Sequence, residues 1–312
     1  MRGTVANTDT GWYQFLRGRP DLSEVNFWAP SPRHSFRGDR MTPFFFRLKA
    51  PHRAIAGFAY FARFERLPVW LAWEAFGAGN GVDSLPDLME GLQRLRERIR
   101  YEPPPGPDEI GCSILLDPVL FPQDLWIPEP SNWKGRTQGY RFYDLDAGEG
   151  RVLWDRCRDA ARMMAGRSYA EPASIIERAA RYGAPQVVLP RLGQGSFRIA
   201  TLEAYGRACA VTGEHSLPAL EAAHIFSYHK GGVHEVCNGI LMRADLHRLF
   251  DRGYVTVTPD LIVRVSPRLK QDFDNGRSYY PFDDHPVRVP DSLEDRPDPE
   301  HLEWHVKNVF LG

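Results

Sequence analysis

Three residues in the stretch Tyr205–Tyr254 have the types and spacing for acid–base chemistry on water: His224, Asn238 and His247. Asn238 lies fourteen positions after His224, and His247 nine positions after Asn238. An imidazole takes a proton from water near neutral pH because its ordinary pKa is about 6.5. His247 is followed four positions later by Asp251, and residues so spaced lie one turn apart on the same helix face. An imidazole and a carboxylate in that relation suit a divalent cation such as Mg²⁺, Mn²⁺ or Ni²⁺, with water and phosphate completing the shell. Such a cation polarises a phosphate and stabilises a departing 3′ oxygen. Asn238 precedes Gly239, and its short amide can bond backbone groups across a loop and fix the direction of His224. Together these parts compose phosphodiester hydrolysis.

The elements that must position them follow in a fixed order. ALEAAHIF (219–226) is apolar with few breakers and reads as a strand. SYHKGGVHEVC (227–237) contains a Gly-Gly pair and reads as a loop. GILM (239–242) is a second short strand, and RADLHRLFDR (243–252) has helical spacing, with Leu246, Leu249 and Phe250 on one side. Gly253 stands where a glycine ends a helix.

This stretch resembles the HNH nucleases, whose fold is ββα-metal. The resemblance covers Cys209 to Gly253, with AAHI, NGILMR and LHRLFD as its recognisable pieces. It implies that His224 is the general base, Asn238 the structural asparagine and His247 a metal ligand, with Asp251 a second ligand from the helix. Many members carry an Asp or His ligand just before the base, where this chain has Ala223. Two alternatives stand: the ion has fewer protein ligands, or Glu221 helps from two residues further back. The paired CxxC knuckles that hold structural zinc in many members are missing from this sequence.

Each residue taken alone has an ordinary explanation. A histidine on an apolar strand is usually a core residue, Asn-Gly is usually a turn, and His-x₃-Asp is a common surface pair. Their joint occurrence in this order favours the nuclease. His215, His229 and His234 have no matching role and read as solvated loop histidines. Cys209 and Cys237 flank the two strands and read as a buried thiol pair rather than a zinc site.

The 312 residues exceed what one such module needs and predict about two domains. A hydrophobic content of 43% and a charged content of 25% are those of a globular protein. Four scattered cysteines do not make a secreted disulfide framework. The N-terminus lacks an apolar leader and no run suffices for a membrane span, so a cytoplasmic protein is expected. The net charge of −1 is not the signature of a protein that coats DNA nonspecifically, but its distribution is uneven. Residues 1–66 hold eleven Arg or Lys against five Asp or Glu, whereas 67–150 hold seven against fourteen. A basic N-terminal third fits a local phosphate-facing surface as well as it fits a solvated face.

Along the chain, 11–23 reads as a short helix. EVNFWAPS, TPFFFRLKA and AIAGFAYFARFERL read as strands, rich in aromatics and bounded by Pro and Gly. LPVWLAWEAF and LPDLMEGLQRLRERIR have helical spacing, the second capped by Asp83 or Ser84. IGCSILLDPVLF and GYRFYDL are further strands. A helix follows, with Val152, Leu153, Cys157, Ala160, Ala161 and Met164 as its apolar stripe. YVTVTPDLIVRVS reads as a hairpin turning at Pro259-Asp260, and HLEWHVKNVFLG as an amphipathic segment that packs back on the module.

The order NFWAPS, FFFRLKAP, IAGFAYF, AWEAFGAGNG is similar to the PUA-like domains, including SRA and EVE types, that precede HNH modules in bacterial modification-dependent restriction endonucleases. The resemblance implies a domain that reads a modified base. A flipped base needs stacking aromatics, polar groups for its edge and a basic rim. Phe27, Trp28, Tyr60, Trp70 and Trp73 are candidate aromatics; Asp39, Asn80 and Asp83 are candidate edge readers. Arg33, Arg37, Arg40 and Lys49 are candidate backbone contacts, joined by Arg191 and Arg198 near the nuclease module. Any one aromatic of a small barrel is more often core than pocket.

The expectation is therefore an α+β protein in three parts. A PUA-like β-barrel for reading DNA occupies 1–150, a helical connector 151–186 and a ββα-metal HNH nuclease 187–312. It would be a metal-dependent endonuclease on double-stranded DNA, recognising methylated or hydroxymethylated cytosine. It would act as a homodimer because one site cuts one strand. The competing readings are an HNH nuclease without modification dependence and a non-catalytic DNA-binding protein.

Overall fold

The computed structural model describes residues 1–32, 38–133, 139–167, 193–226, 234–274 and 276–312. The chain divides into two units, 1–190 and 191–312.

The first unit is built on a seven-stranded mixed sheet. Its strands are β1 (Arg2–Thr8), β2 (Glu24–Ala29), β3 (Pro43–Leu48), β4 (Ala54–Pro68), β5 (Glu109–Leu120), β6 (Ile127–Pro128) and β7 (Tyr140–Asp144). Their order is β2-β5-β4-β3-β1-β7, with β6 on β4. β1 and β3 run parallel; the other pairs are antiparallel.

Helices lie on both faces of this sheet, which explains the continuous apolar run of β3. Phe44 and Phe46 point to one side, where Leu16 of α1 (Thr10–Arg17) joins Val25, Phe61 and Leu115. Phe45 points to the other, where Leu153, Cys157, Ala160 and Ala161 of α4 (Gly148–Arg167) join Val5, Ile55 and Phe58. The stripe expected on the helix after 151 is thus built into the core of the first unit. Val152 is the exception: it is exposed.

The expected barrel is corrected. Among the described residues the sheet stays open, with β2 and β7 as its ends. Strand signals count strands but do not encode closure, and here helices cover the faces that a barrel would fill from its own strands. α2 (Val69–Phe76) and α3 (Leu85–Ile99) match the two helical readings, and Ser84 caps the second by accepting from Asp87 N at 3.3 Å.

The second unit opens with α5 (Gln194–Ala204), a helix the sequence reading did not assign. β8 (Leu220–His224) and β9 (Gly239–Arg243) form an antiparallel hairpin that runs directly into α6 (Ala244–Asp251). β10 (Val255–Val257) and β11 (Val263–Val265) form the expected second hairpin. α7 (Arg268–Phe273) and α8 (Pro299–Asn308) follow. α8 returns to the end of α6 through Gly253, which has φ +78°. A Cβ there would lie 2.0 Å from Val309 O, and Gly253 O accepts from Leu311 N. Among the described residues no helix is long and apolar enough to cross a membrane.

Candidate active site

The site begins with the buried amide of Asn238. Its Oδ1 accepts from Phe226 N at 2.8 Å and its Nδ2 donates to Phe226 O at 3.0 Å. Its backbone carbonyl accepts from Ile225 N. One side chain thus satisfies both backbone groups of a residue two positions beyond His224, and the chain leaving β8 has a single path.

His224 is paired with Gly239 in the hairpin register. Its ring stacks on Phe197 of α5, with centroids 4.0 Å apart and planes 17° apart. Gly239 makes this approach possible by its size, since a Cβ would lie 2.9 Å from the Phe197 ring and from Thr201 Oγ1. On its other side, His224 Nε2 is 3.0 Å from Nδ1 of His234. The His224 pKa is pushed down to about 4, by burial first and then by the nearby charges of His234 and His247. Burial also lowers His234.

His247 projects from α6 between two carboxylates. Its Nδ1 is 2.8 Å from Glu221 Oε2 on β8, and its Nε2 is 3.3 Å from Asp251 Oδ2 one helical turn on. Ala223 is fully buried and offers no donor. Among the described residues no group of three His, Cys, Asp or Glu side chains is arranged to hold a metal.

Both ends of α6 are fixed. At its start Arg243 pairs with both oxygens of Asp245, at 3.0 and 2.5 Å, and Tyr279 donates to the same carboxylate at 3.2 Å. The Arg243 hydrogen bond holds the Asp245 carboxyl below its ordinary range. At its end His305 of α8 stacks on Phe250 at 3.7 Å and donates from Nε2 to Phe250 O. Its Nδ1 accepts from Thr256 Oγ1 at 2.8 Å, and burial pushes its pKa down to about 4.

The structure thus brings His224, Asn238, His247 and Asp251 together in one ββα unit. It adds His234, Glu221 and Phe197, to which residue type and spacing assign no single role. His234 is not a solvated loop histidine, because it meets His224. A histidine four positions before Asn238 was the only signal available for it. Cys209 and Cys237 are free thiols with separate partners, the first accepting from Thr212 N and the second approaching Glu235. His229 lies outside the described residues.

In the first unit the candidate readers disperse. Asn80 is fully buried and corrected to a structural role: its amide donates to Ala72 O and Gly77 O and accepts from Asn26. Asp83 is exposed and pairs with Arg19 at 2.6 Å. Trp28 is half-buried and donates from Nε1 to Asn80 O at 3.0 Å; Trp73 is half-buried on α2. Tyr60 packs against Phe58 in the layer under α4, where burial pushes its hydroxyl up to about 12. Phe27 belongs to the opposite layer, among Trp12, Phe44 and Phe46. Arg40 and Lys49 are exposed, and Arg198 is half-buried on α5. Arg33, Arg37 and Arg191 lie outside the described residues.

Residues 209–258 match the family model described as HNH endonuclease. No curated protein matches the chain. Among solved structures the chain is similar to ASCH from Zymomonas mobilis, at 14% identity and a TM-score of 0.32, over 49% of this chain and 94% of that one. It is also similar to the modification-dependent TagI restriction endonuclease, at 12% identity and a TM-score of 0.29, over 98% of this chain and 81% of that one.

Proposed function

We propose that this chain is a metal-dependent endonuclease acting on double-stranded DNA, with the second unit cutting and the first, read as PUA-like, recognising the substrate. The observation that carries the reading is the ββα arrangement of β8, β9 and α6 inside the matched segment, with His224 on the strand whose Glu221 meets the His247–Asp251 pair. In its sharper form the enzyme depends on modification and recognises methylated or hydroxymethylated cytosine. A break in both strands takes two sites, and so a homodimer.

His224 takes the proton from the attacking water. Its Nε2 is engaged by His234, so the nitrogen left for water is Nδ1. Asn238 aims the ring by holding Phe226, and Phe197 closes one face of it. The nitrogen and carboxylate of His247 and Asp251 fit Mg²⁺, Mn²⁺ or Ni²⁺ and would hold the ion, with water and phosphate oxygens as further donors. When bound, the ion supplies positive charge to the scissile phosphate and the leaving oxygen.

A nuclease without modification dependence is the second reading. It is favoured by Asn80, one of the three candidate edge readers, whose amide is fully engaged within the fold.

The test is cleavage of matched plasmids, unmodified or carrying 5-methylcytosine or 5-hydroxymethylcytosine, with Mn²⁺. Cutting of the modified plasmid alone is the expected result, and His224→Ala should bind DNA without cutting it. Equal cutting of both plasmids removes the modified-base reader and keeps the nuclease. No nicking with Mg²⁺, Mn²⁺ or Ni²⁺ favours a non-catalytic DNA-binding protein and sinks the enzyme.

A further inference from the structure

We infer that Glu221 is a positioning carboxylate for His247 and not a ligand of the cation, an inference that rests on the metal-dependent reading above. The two ring nitrogens of an imidazole point away from each other, so a group on Nδ1 cannot share an ion held by Nε2. Glu221 Oε2 lies 2.8 Å from Nδ1, and Asp251 Oδ2 lies 3.3 Å from Nε2. The two carboxylates therefore occupy opposite sides of one ring.

The proton inventory assigns their roles. A neutral imidazole has one N–H, and an ionised carboxylate only accepts. With the ion held at Nε2 beside Asp251, as proposed above, Nε2 gives its lone pair, and the N–H is left on Nδ1, where it donates to Glu221. Nε2 and the Asp251 carboxylate, 3.3 Å apart, are the nitrogen and oxygen donors that would hold the ion. A carboxylate on the far nitrogen of a ligating histidine fixes the ring rotation and raises its basicity.

The fold makes this contact a rigid one. Glu221 pairs with Met242 in the hairpin, and β9 continues without a loop into the helix that carries His247. Ala223 shares the strand face of Glu221 but ends at its Cβ inside the core. The position that lacks a donor is thus followed, two residues back, by one that supports the remaining histidine from behind.

The test measures Mn²⁺ binding to the full chain without DNA, by the electron paramagnetic resonance signal of free Mn²⁺. Glu221→Gln keeps an oxygen that accepts from Nδ1–H and should stay within about threefold of the parent, while Glu221→Ala should bind roughly 10–100-fold more weakly. Equal weakening in both variants would make Glu221 a ligand and overturn the inference; so would unchanged binding in Glu221→Ala. A parent chain that takes up no Mn²⁺, or Asp251→Ala that binds like the parent, sinks the metal reading itself. Should the alanine variant fail to fold, long-range ¹H–¹⁵N spectra of the parent with Mg²⁺ decide the same point. Protonation of His247 at Nδ1 supports the assignment, and protonation at Nε2 refutes it.

Discussion

His224 and His234 meet nitrogen to nitrogen at 3.0 Å, although ten positions separate them in the chain. The contact occupies Nε2 of His224 and adds to the burial that keeps the ring neutral. Removing His234 takes away one of the causes that lower His224, so the acid limb of the cleavage rate should move up, toward the ordinary histidine value. The parent should hold its rate below pH 6.5, because a base pushed down to about 4 remains unprotonated there. A pH–rate profile of parent and His234→Ala at saturating Mn²⁺ checks this; identical limbs would show that His234 does not act on the base.

Asn238→Ala leaves both backbone groups of Phe226 without their partner. Each unsatisfied buried group costs about 1–3 kcal/mol, so a clear loss of stability is expected. Urea unfolding measures it, and cleavage should fall further than the unfolded fraction explains, because the turn that aims His224 is released. Activity that tracks only the folded fraction would reduce Asn238 to a scaffold residue.

Gly239→Ala puts a methyl group 2.9 Å from the Phe197 ring. Phe197 is buried and cannot simply swing out, so the variant should lose roughly 1–3 kcal/mol. The ring that stacks on His224 must shift with it. Thermal unfolding and nicking rate, measured together, should both decline.

His305 sets a pH window for stability. Its folded pKa is about 4 against an unfolded value of about 6.5, so between these values the unfolded chain binds the proton and the folded one does not. Stability from this group is complete above pH 6.5 and falls as the pH drops toward 4, by about 1.4 kcal/mol per unit. Urea midpoints at pH 7.5, 5.5 and 4.5 should decline in that order. His305→Gln should flatten the slope, and an unchanged slope would assign the effect to other groups.

The ββα unit was legible because it is local. Strand, strand and helix follow each other within 220–251, so residue types, the Asn-Gly pair and the His-x₃-Asp spacing carry the arrangement with no distant partner. The helix caps and the second hairpin were readable for the same reason.

What lies around that unit came from packing between segments far apart in sequence. Phe197 reaches His224 from α5, and His305 holds the end of α6 from α8. Neither contact has a periodic signal, because each depends on where a second element docks. The open sheet of the first unit is the same case: the parallel pairing of β1 with β3 and the addition of β7 at the edge join strands that no turn connects. Asn80 reads from sequence as a candidate edge reader, and only the tertiary structure engages its amide with α2 and β2. The amino-acid sequence by itself determined the local order of strand, strand and helix and the residue types they carry, because those signals lie within one short segment. The tertiary structure decided which nitrogen of each histidine faces which partner, because the direction of a ring follows from contacts on both sides of it.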